Sequence, residues 1–174
     1  MLVGGIGLGV LVWNLVHLYS VVDDAYISFR YLDNWLAGHG LVYNPGERVE
    51  GYTNFLWIVL LAPLRLLGLQ PELASFVLSL AALALLLGAV FRTASSLADS
   101  PVAGGAALLL AASSAHLARW TTSGMETVGF AALLALANQQ LALRRQHSLK
   151  SSLFFGLAVL TRPNGVLHGA VAFL

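Results

Sequence analysis

Long apolar runs recur along this chain, and they constrain its fold more than any other feature. Leu2–Val22 supplies about 20 apolar positions, enough for one helix across a hydrocarbon core of roughly 30 Å. Leu73–Phe91, Val102–Leu117, Val128–Leu143 and Leu153–Leu174 repeat the pattern. Of the 174 residues, 58% are hydrophobic and only 10% charged, with a mean hydropathy of +0.79. Soluble domains carry about a quarter charged residues. The expected fold is therefore all-α and polytopic, a bundle of membrane helices. Four Trp and five Tyr suit membrane interfaces. The net charge of +1 offers no basic excess, and no nucleic-acid partner is expected. Cysteine is absent, which excludes disulfides and thiolate metal sites and leaves the redox compartment unreadable. The first run lacks a basic n-region and an A-x-A cleavage site, so a retained span is expected rather than a signal peptide. The last run breaks off in the apolar stretch VLHGAVAFL, which leads us to expect a longer parent chain.

Between the first two runs lies a polar island, DDAYISFRYLDNWLAGHGLVYNPGERVEGYTN, from Asp23 to Asn54. It holds five of the eight acidic residues. Acids kept beside a membrane are costly and commonly functional. Its first half predicts a helix, with Ala25, Phe29, Leu32 and Leu36 at helical spacing and Gly38 and Gly40 ending the pattern. Asn44-Pro45-Gly46 marks a turn. Phe55–Leu69 is apolar but short, and Pro63 and Arg65 interrupt it, so it reads as an interfacial or re-entrant helix. Charge bias supports this. If the N-terminus is cytoplasmic and Phe55–Leu69 does not cross, Arg92 and the cluster Arg144, Arg145 and Lys150 are cytoplasmic. The island and Glu126 then share the outer side, and five spans result.

Several residues are candidates for chemistry. Asp23 and Asp24 stand where the first span ends. One reading makes Asp23 the N-cap of the next helix and Asp24 a partner of its dipole. The other makes them carboxylates at a low-dielectric boundary, fit for general base catalysis or metal binding. Asp23, Ile27 and Arg30 share a helix face, as do Tyr26 and Arg30, so Arg30 can pair with an acid or meet a phosphate. GERVEGYTN places Glu47, Arg48, Glu50, Tyr52 and Asn54 among glycines, a density suited either to sugar or phosphate recognition or to a solvated loop. Glu126, in SGMET, opens a span that Ser123 or Thr122 can cap. Arg162 interrupts an apolar segment and is followed by Pro163, Asn164 and Gly165, the composition of a broken helix lining a cavity. An anionic headgroup is its natural partner, and a helix–helix salt bridge is the structural alternative. His17, His39, His116, His147 and His168 show no zinc-ligand spacing. Gly4-Gly5-x-Gly7-x-Gly9 lies in a span, where small residues serve helix packing rather than nucleotide binding.

Taken with SGMET and LTRPNG, the segment DDAYISFRYLDNWLAGHGLVYNPGERVEGYTNFLW resembles the first external loop of GT-C-fold glycosyltransferases. It is most similar to the bacterial branch that includes the mycobacterial terminal arabinofuranosyltransferases. The match covers this whole chain but only the amino-terminal part of such enzymes. In the branch LTRPNG is commonly RPDG; Asn164 replaces that acid here, which leaves the acid's role open. The resemblance implies a GT-C-like transmembrane bundle whose first external loop carries short surface helices. It implies transfer of a sugar, with arabinofuranose the branch's example, from a polyprenyl-phosphate donor to a glycan, lipid or protein acceptor. The site would face the periplasm or exterior from a bacterial plasma membrane. By position, the general base would be Asp23 or Asp24, with Asp23 favoured because the family's acidic pair usually places the catalytic acid first. Glu126 would be the second external acid, and Arg162 the contact to the carrier phosphate. A lipid-borne donor removes the need for a nucleotide loop, and direct displacement would invert the anomeric centre. Mg2+ or Mn2+ bound by Asp23, Asp24 and Glu126 is compatible with the pattern but not required by it. A transporter or lipid flippase would share the intramembrane arginine and broken helices. It would need fewer acids in one loop, and no internal repeat is present. A non-catalytic scaffold would need none of these acids or Arg162.

Overall fold

The computed structural model describes residues 2–144 and 148–172, with side chains from residue 7 onward except that of residue 144. Arg145 and His147 lie outside the described residues. Among the described residues the fold is all helical, as expected, with no strand. The elements are α1 (Leu2–His17), α2 (Asp23–Leu36), α3 (Phe55–Leu66), α4 (Pro71–Leu97), α5 (Pro101–Ala112), α6 (Ala115–Thr121), α7 (Thr127–Arg144), α8 (Leu149–Thr161) and α9 (Gly165–Ala172).

The long helices lie side by side. α1 runs in the same sense as the α5–α6 pair: an added Cβ on Gly7 would sit 2.6 Å from Leu109 Cδ1, and Thr122 Oγ1 donates to the Leu18 carbonyl. α4 and α7 share a direction, because Leu83 and Ala82 pack with Val128 and Ala132 while Gln139 Nε2 donates to the Ala89 carbonyl at 3.4 Å. α8 returns antiparallel to α7, ending where α7 begins. The only described helix that is by itself long and apolar enough to cross a membrane is α4. α5 and α6 qualify together, as a pair bent by 65°. α1, α3, α7 and α8 are shorter apolar helices.

Each departure from the expected runs has a local cause. α1 stops at His17 rather than Val22, because the next residues spend their backbone groups on the segment before α7. The Ser20 carbonyl accepts from Arg119 Nη1 at 2.6 Å, and Val22 N donates to the Ser123 carbonyl at 3.0 Å. The 102–117 run splits because Ser114 starts a new helix, its side chain accepting from Leu117 N at 3.2 Å. α4 opens on Pro71 in its first turn, where a missing N–H costs nothing. α8 starts at Leu149, earlier than its apolar run, through a Ser148–Ser151 capping box. The expected break follows: Arg162 is extended (φ −150°, ψ 130°), as a residue before proline prefers.

α2 buries Ala25, Phe29 and Leu32 against Trp57, Ile58 and Leu61 of α3. Both ends of α3 are tied to α2, near its start by Ser28–Asn54 and at its end by Arg65–Asp33. α3 therefore follows α2 and delivers the chain to the start of α4. With 12 residues it is about 18 Å long at 1.5 Å per residue.

Candidate active site

Glu126 is the centre of a polar cluster built from four separate stretches of chain. It is 3% exposed and sits just before α7, its carbonyl accepting from Phe130 N at 2.8 Å. Arg162, at the break after α8, places Nε 2.5 Å from Glu126 Oε1 and donates from Nη2 to Thr127 Oγ1 at 2.8 Å. Asn54, just before α3, donates from Nδ2 to Glu126 Oε2 at 2.8 Å. That amide also meets Ser28 of α2, donating from Nδ2 to Oγ at 2.9 Å and accepting from Oγ at Oδ1 at 3.3 Å. Both carboxylate oxygens are thus engaged. A carboxylate so deeply buried is tolerated because it is both paired and hydrogen-bonded. Arg162 is partly open to solvent, its guanidinium lies 5.9 Å from the Phe130 ring centroid, and Nη1 has no partner among the described residues.

Close backbone approach makes the cluster possible. Gly124 has φ +83°, and a Cβ there would fall 2.8 Å from Ala25 Cβ. Only glycine adopts this conformation without strain and lets the SGMET turn lie on α2. Trp57 Nε1 then reaches the Gly124 carbonyl at 3.1 Å. At the other side, a Cβ on Gly165 would meet the Ala158 backbone at 2.9 Å, so its absence lets α9 fold back on α8.

Asp23 and Asp24 remain exposed at the start of α2. Asp23 is not the N-cap: Val22 holds that position without a side-chain bond, and both acids lie in the first turn, where they complement the helix dipole. Asp24 is one turn before Ser28 on the same face, whereas Asp23 shares a face with Ile27 and Arg30. Arg30 pairs with no acid among the described residues, Asp23 included; its Nε donates to the Tyr43 carbonyl at 3.1 Å. Neither expected hydroxyl caps α7. Thr122 Oγ1 donates to the Leu18 and Arg119 carbonyls, and Ser123 Oγ donates to the Trp120 carbonyl while accepting from Met125 N.

Tyr26 is half exposed, its phenol pushed up by desolvation and then by the Glu72 carboxylate. The Tyr52 phenol is also raised, by desolvation first and then by Glu50. Glu47 accepts from Asn44 Nδ2 at 3.0 Å, while Arg48 and Glu50 are exposed. The island's residues therefore divide: Asn54, with Ser28 behind it, joins Glu126 and Arg162, and the other candidates stand on α2 or in the loop after it. Among the described residues no three His, Asp or Glu side chains gather to hold a metal ion. The trio Asp23, Asp24 and Glu126 does not fit an Mg2+ or Mn2+ site, since Glu126 is already taken by an arginine and an amide. Ser28 and Thr127 escaped the sequence reading. Helical spacing from Asp24 and adjacency to Glu126 were the available signals, and small hydroxyls carry little weight alone.

No family model matches the chain. No solved structure matches it. One curated protein is similar: the Terminal beta-(1->2)-arabinofuranosyltransferase of Mycobacterium tuberculosis (strain ATCC 25618 / H37Rv) is 32% identical over 182 aligned residues. The alignment takes in 93% of this chain, which spans 29% of that relative's length. Over nearly its whole length, then, this chain is related to one stretch of a glycosyltransferase.

Proposed function

We propose that this chain forms part of a GT-C-type membrane glycosyltransferase that moves a sugar from a polyprenyl-phosphate donor to an acceptor on the outer face of a bacterial plasma membrane. The observation that carries the reading is the convergence of Asn54, Glu126 and Arg162 from three motifs far apart in sequence into one buried polar cluster. A scaffold has no need to bury a carboxylate there. The similarity to an arabinofuranosyltransferase supports arabinofuranose as the sugar, and the acceptor is a cell-envelope glycan, lipid or protein.

In this reading a carboxylate of the Asp23–Asp24 pair takes the proton of an acceptor hydroxyl. The hydroxyl oxygen attacks the anomeric carbon, the bond from that carbon to the phosphate oxygen breaks, and the configuration inverts. General base assistance contributes about 10²–10⁴-fold. Glu126 and Thr127 hold the Arg162 guanidinium by two nitrogens, which leaves Nη1 to meet the charge developing on the leaving phosphate. Asn54 keeps Glu126 in place. The family's acidic pair favours Asp23 as the base, while the face shared with Ser28 favours Asp24. No step is assigned to a metal ion.

The test is sugar transfer by the full-length protein in lipid vesicles, supplied with polyprenyl-phosphate sugars and a panel of acceptors. Asp23→Asn, Asp24→Asn and Arg162→Ala are compared with wild type after checks of folding. We expect one aspartate variant to lose transfer with donor binding intact, and Arg162→Ala to raise the donor KM. Full activity in both aspartate variants would falsify the base assignment. Wild-type flux of a lipid or solute without transfer would shift the reading to a transporter or flippase.

A further inference from the structure

The stretch from Gly40 to Thr53 has no regular secondary structure, yet its backbone is fixed by side chains of α2. Buried Asn34 donates from Nδ2 to the carbonyls of Val42 and Tyr43, each at 2.8 Å, and Arg30 adds its bond to Tyr43. Tyr31, 1% exposed, donates its hydroxyl to the Val49 carbonyl and accepts from Gly51 N, both at 2.8 Å. Its ring also packs edge-on against Tyr52, with centroids 4.8 Å apart. Between these two anchors opens a groove of about 400 Å³, lined by His39, Val42, Arg48, Glu50 and Tyr52 among others. Arg48 and Glu50 form no hydrogen bond or ion pair among the described residues. A loop held rigid while its charged groups stay unpaired is arranged to bind at low ordering cost.

We propose that this groove is a saccharide subsite that holds the acceptor glycan beyond the reacting hydroxyl. The inference rests on the glycosyltransferase reading and deepens it. The chemistry selects the ligand class. One guanidinium and one carboxylate cancel in charge, which disfavours a polyanion, and together they offer donors and acceptors to hydroxyls. Tyr52 adds an aromatic surface with a polar tip. The phosphate-bearing donor is served elsewhere, by Arg162. The distance suits an oligosaccharide, since the four residue steps from Glu50 to Asn54 span at most about 14 Å of extended backbone. Glycan bound in the groove therefore lies within a few sugar units of the Glu126 cluster.

The experiment is calorimetric titration of the full-length protein in nanodiscs with synthetic arabinofuranose oligosaccharides of two to six units and no donor present. Wild type is compared with Arg48→Ala, Glu50→Gln and Arg162→Ala. Arg48 and Glu50 are exposed, so their variants should fold, and circular dichroism checks that all three variants do before binding is compared. We expect binding by wild type, weakening on the order of ten-fold in the Arg48 and Glu50 variants from a lost charged hydrogen bond, and unchanged binding in Arg162→Ala. No binding by wild type, equal binding in every variant, or the largest loss in Arg162→Ala overturns the subsite. Because no donor is used, this outcome is independent of the transfer assay. Saccharide binding without transfer overturns the acceptor role and leaves only a glycan-binding groove, and transfer without the groove effect removes the subsite alone.

Discussion

At Glu126 a carboxylate is buried with an arginine that is not, and this asymmetry decides what substitutions do. Removing one partner of a buried pair costs about 3–5 kcal/mol because the other charge is stranded. Arg162 is 30% exposed, so water partly rescues it, whereas Glu126 has no such recourse. Arg162→Met is therefore expected to destabilise by about 3 kcal/mol, the low end of that range, and more than Glu126→Gln, which keeps an acceptor for Asn54 or Arg162. Thermal unfolding in detergent gives the ranking, and a larger loss from Glu126→Gln would contradict it. Asn54→Ala strips Glu126 Oε2 of its donor and should cost about 1.5–3 kcal/mol, the range for a hydrogen bond to a charged group. Glu126 and Arg162 were singled out by chemistry legible in a linear sequence: an acid opening an apolar span and an arginine followed by Pro-Asn-Gly. Their pairing was not legible, because 36 residues separate them and helical spacing speaks only for neighbours within a turn or two. The proposed base is a different case. Asp23 and Asp24 are adjacent, and what separates them is the helix face each shares.

Among the elements, turns and breaks matter more here than the helices they join. Gly124→Ala would force a left-handed backbone on an L-residue, at about 1–2 kcal/mol, and press its Cβ onto Ala25. We expect a lowered melting temperature together with weakened transfer, since that turn carries Glu126. The Arg65–Asp33 bridge, 2.9 Å long, ties the end of α3 to α2. Both partners are partly exposed, so Arg65→Ala should cost no more than about 1 kcal/mol, a difference readable in the same melts. A larger loss would mean that α3 depends on this tie more than on its buried Trp57, Ile58 and Leu61. Periodicity foretold α2 from Ala25, Phe29 and Leu32, and composition foretold the break at Arg162. The end of α1 at His17 was hidden, since Leu18–Val22 is mostly apolar and gives up its helix only to bond α6 and the turn before α7.

For the whole molecule the membrane arrangement is the consequence to test, by single cysteines placed in this cysteine-free stretch of a full-length protein stripped of any other cysteine. Single substitutions Thr53→Cys and Arg92→Cys, placed in the island and near the far end of α4, report on opposite faces. If α3 does not cross, an impermeant maleimide added to intact cells labels the Thr53→Cys variant alone, and labelling of Arg92→Cys requires permeabilised cells. Labelling of both from outside would overturn the arrangement. The sequence by itself determined the class of the fold, because apolar runs and helical periodicity are local properties that each segment carries with it. It also marked the polar island, the broken last run and the likeness to a glycosyltransferase. Tertiary structure decided which of those residues meet. Burial of Glu126 required α2, the start of α3, the SGMET turn and the α8–α9 break to arrive together. Glycines at 124 and 165 allowed that approach, and a buried charge, once there, had to find its arginine and amide.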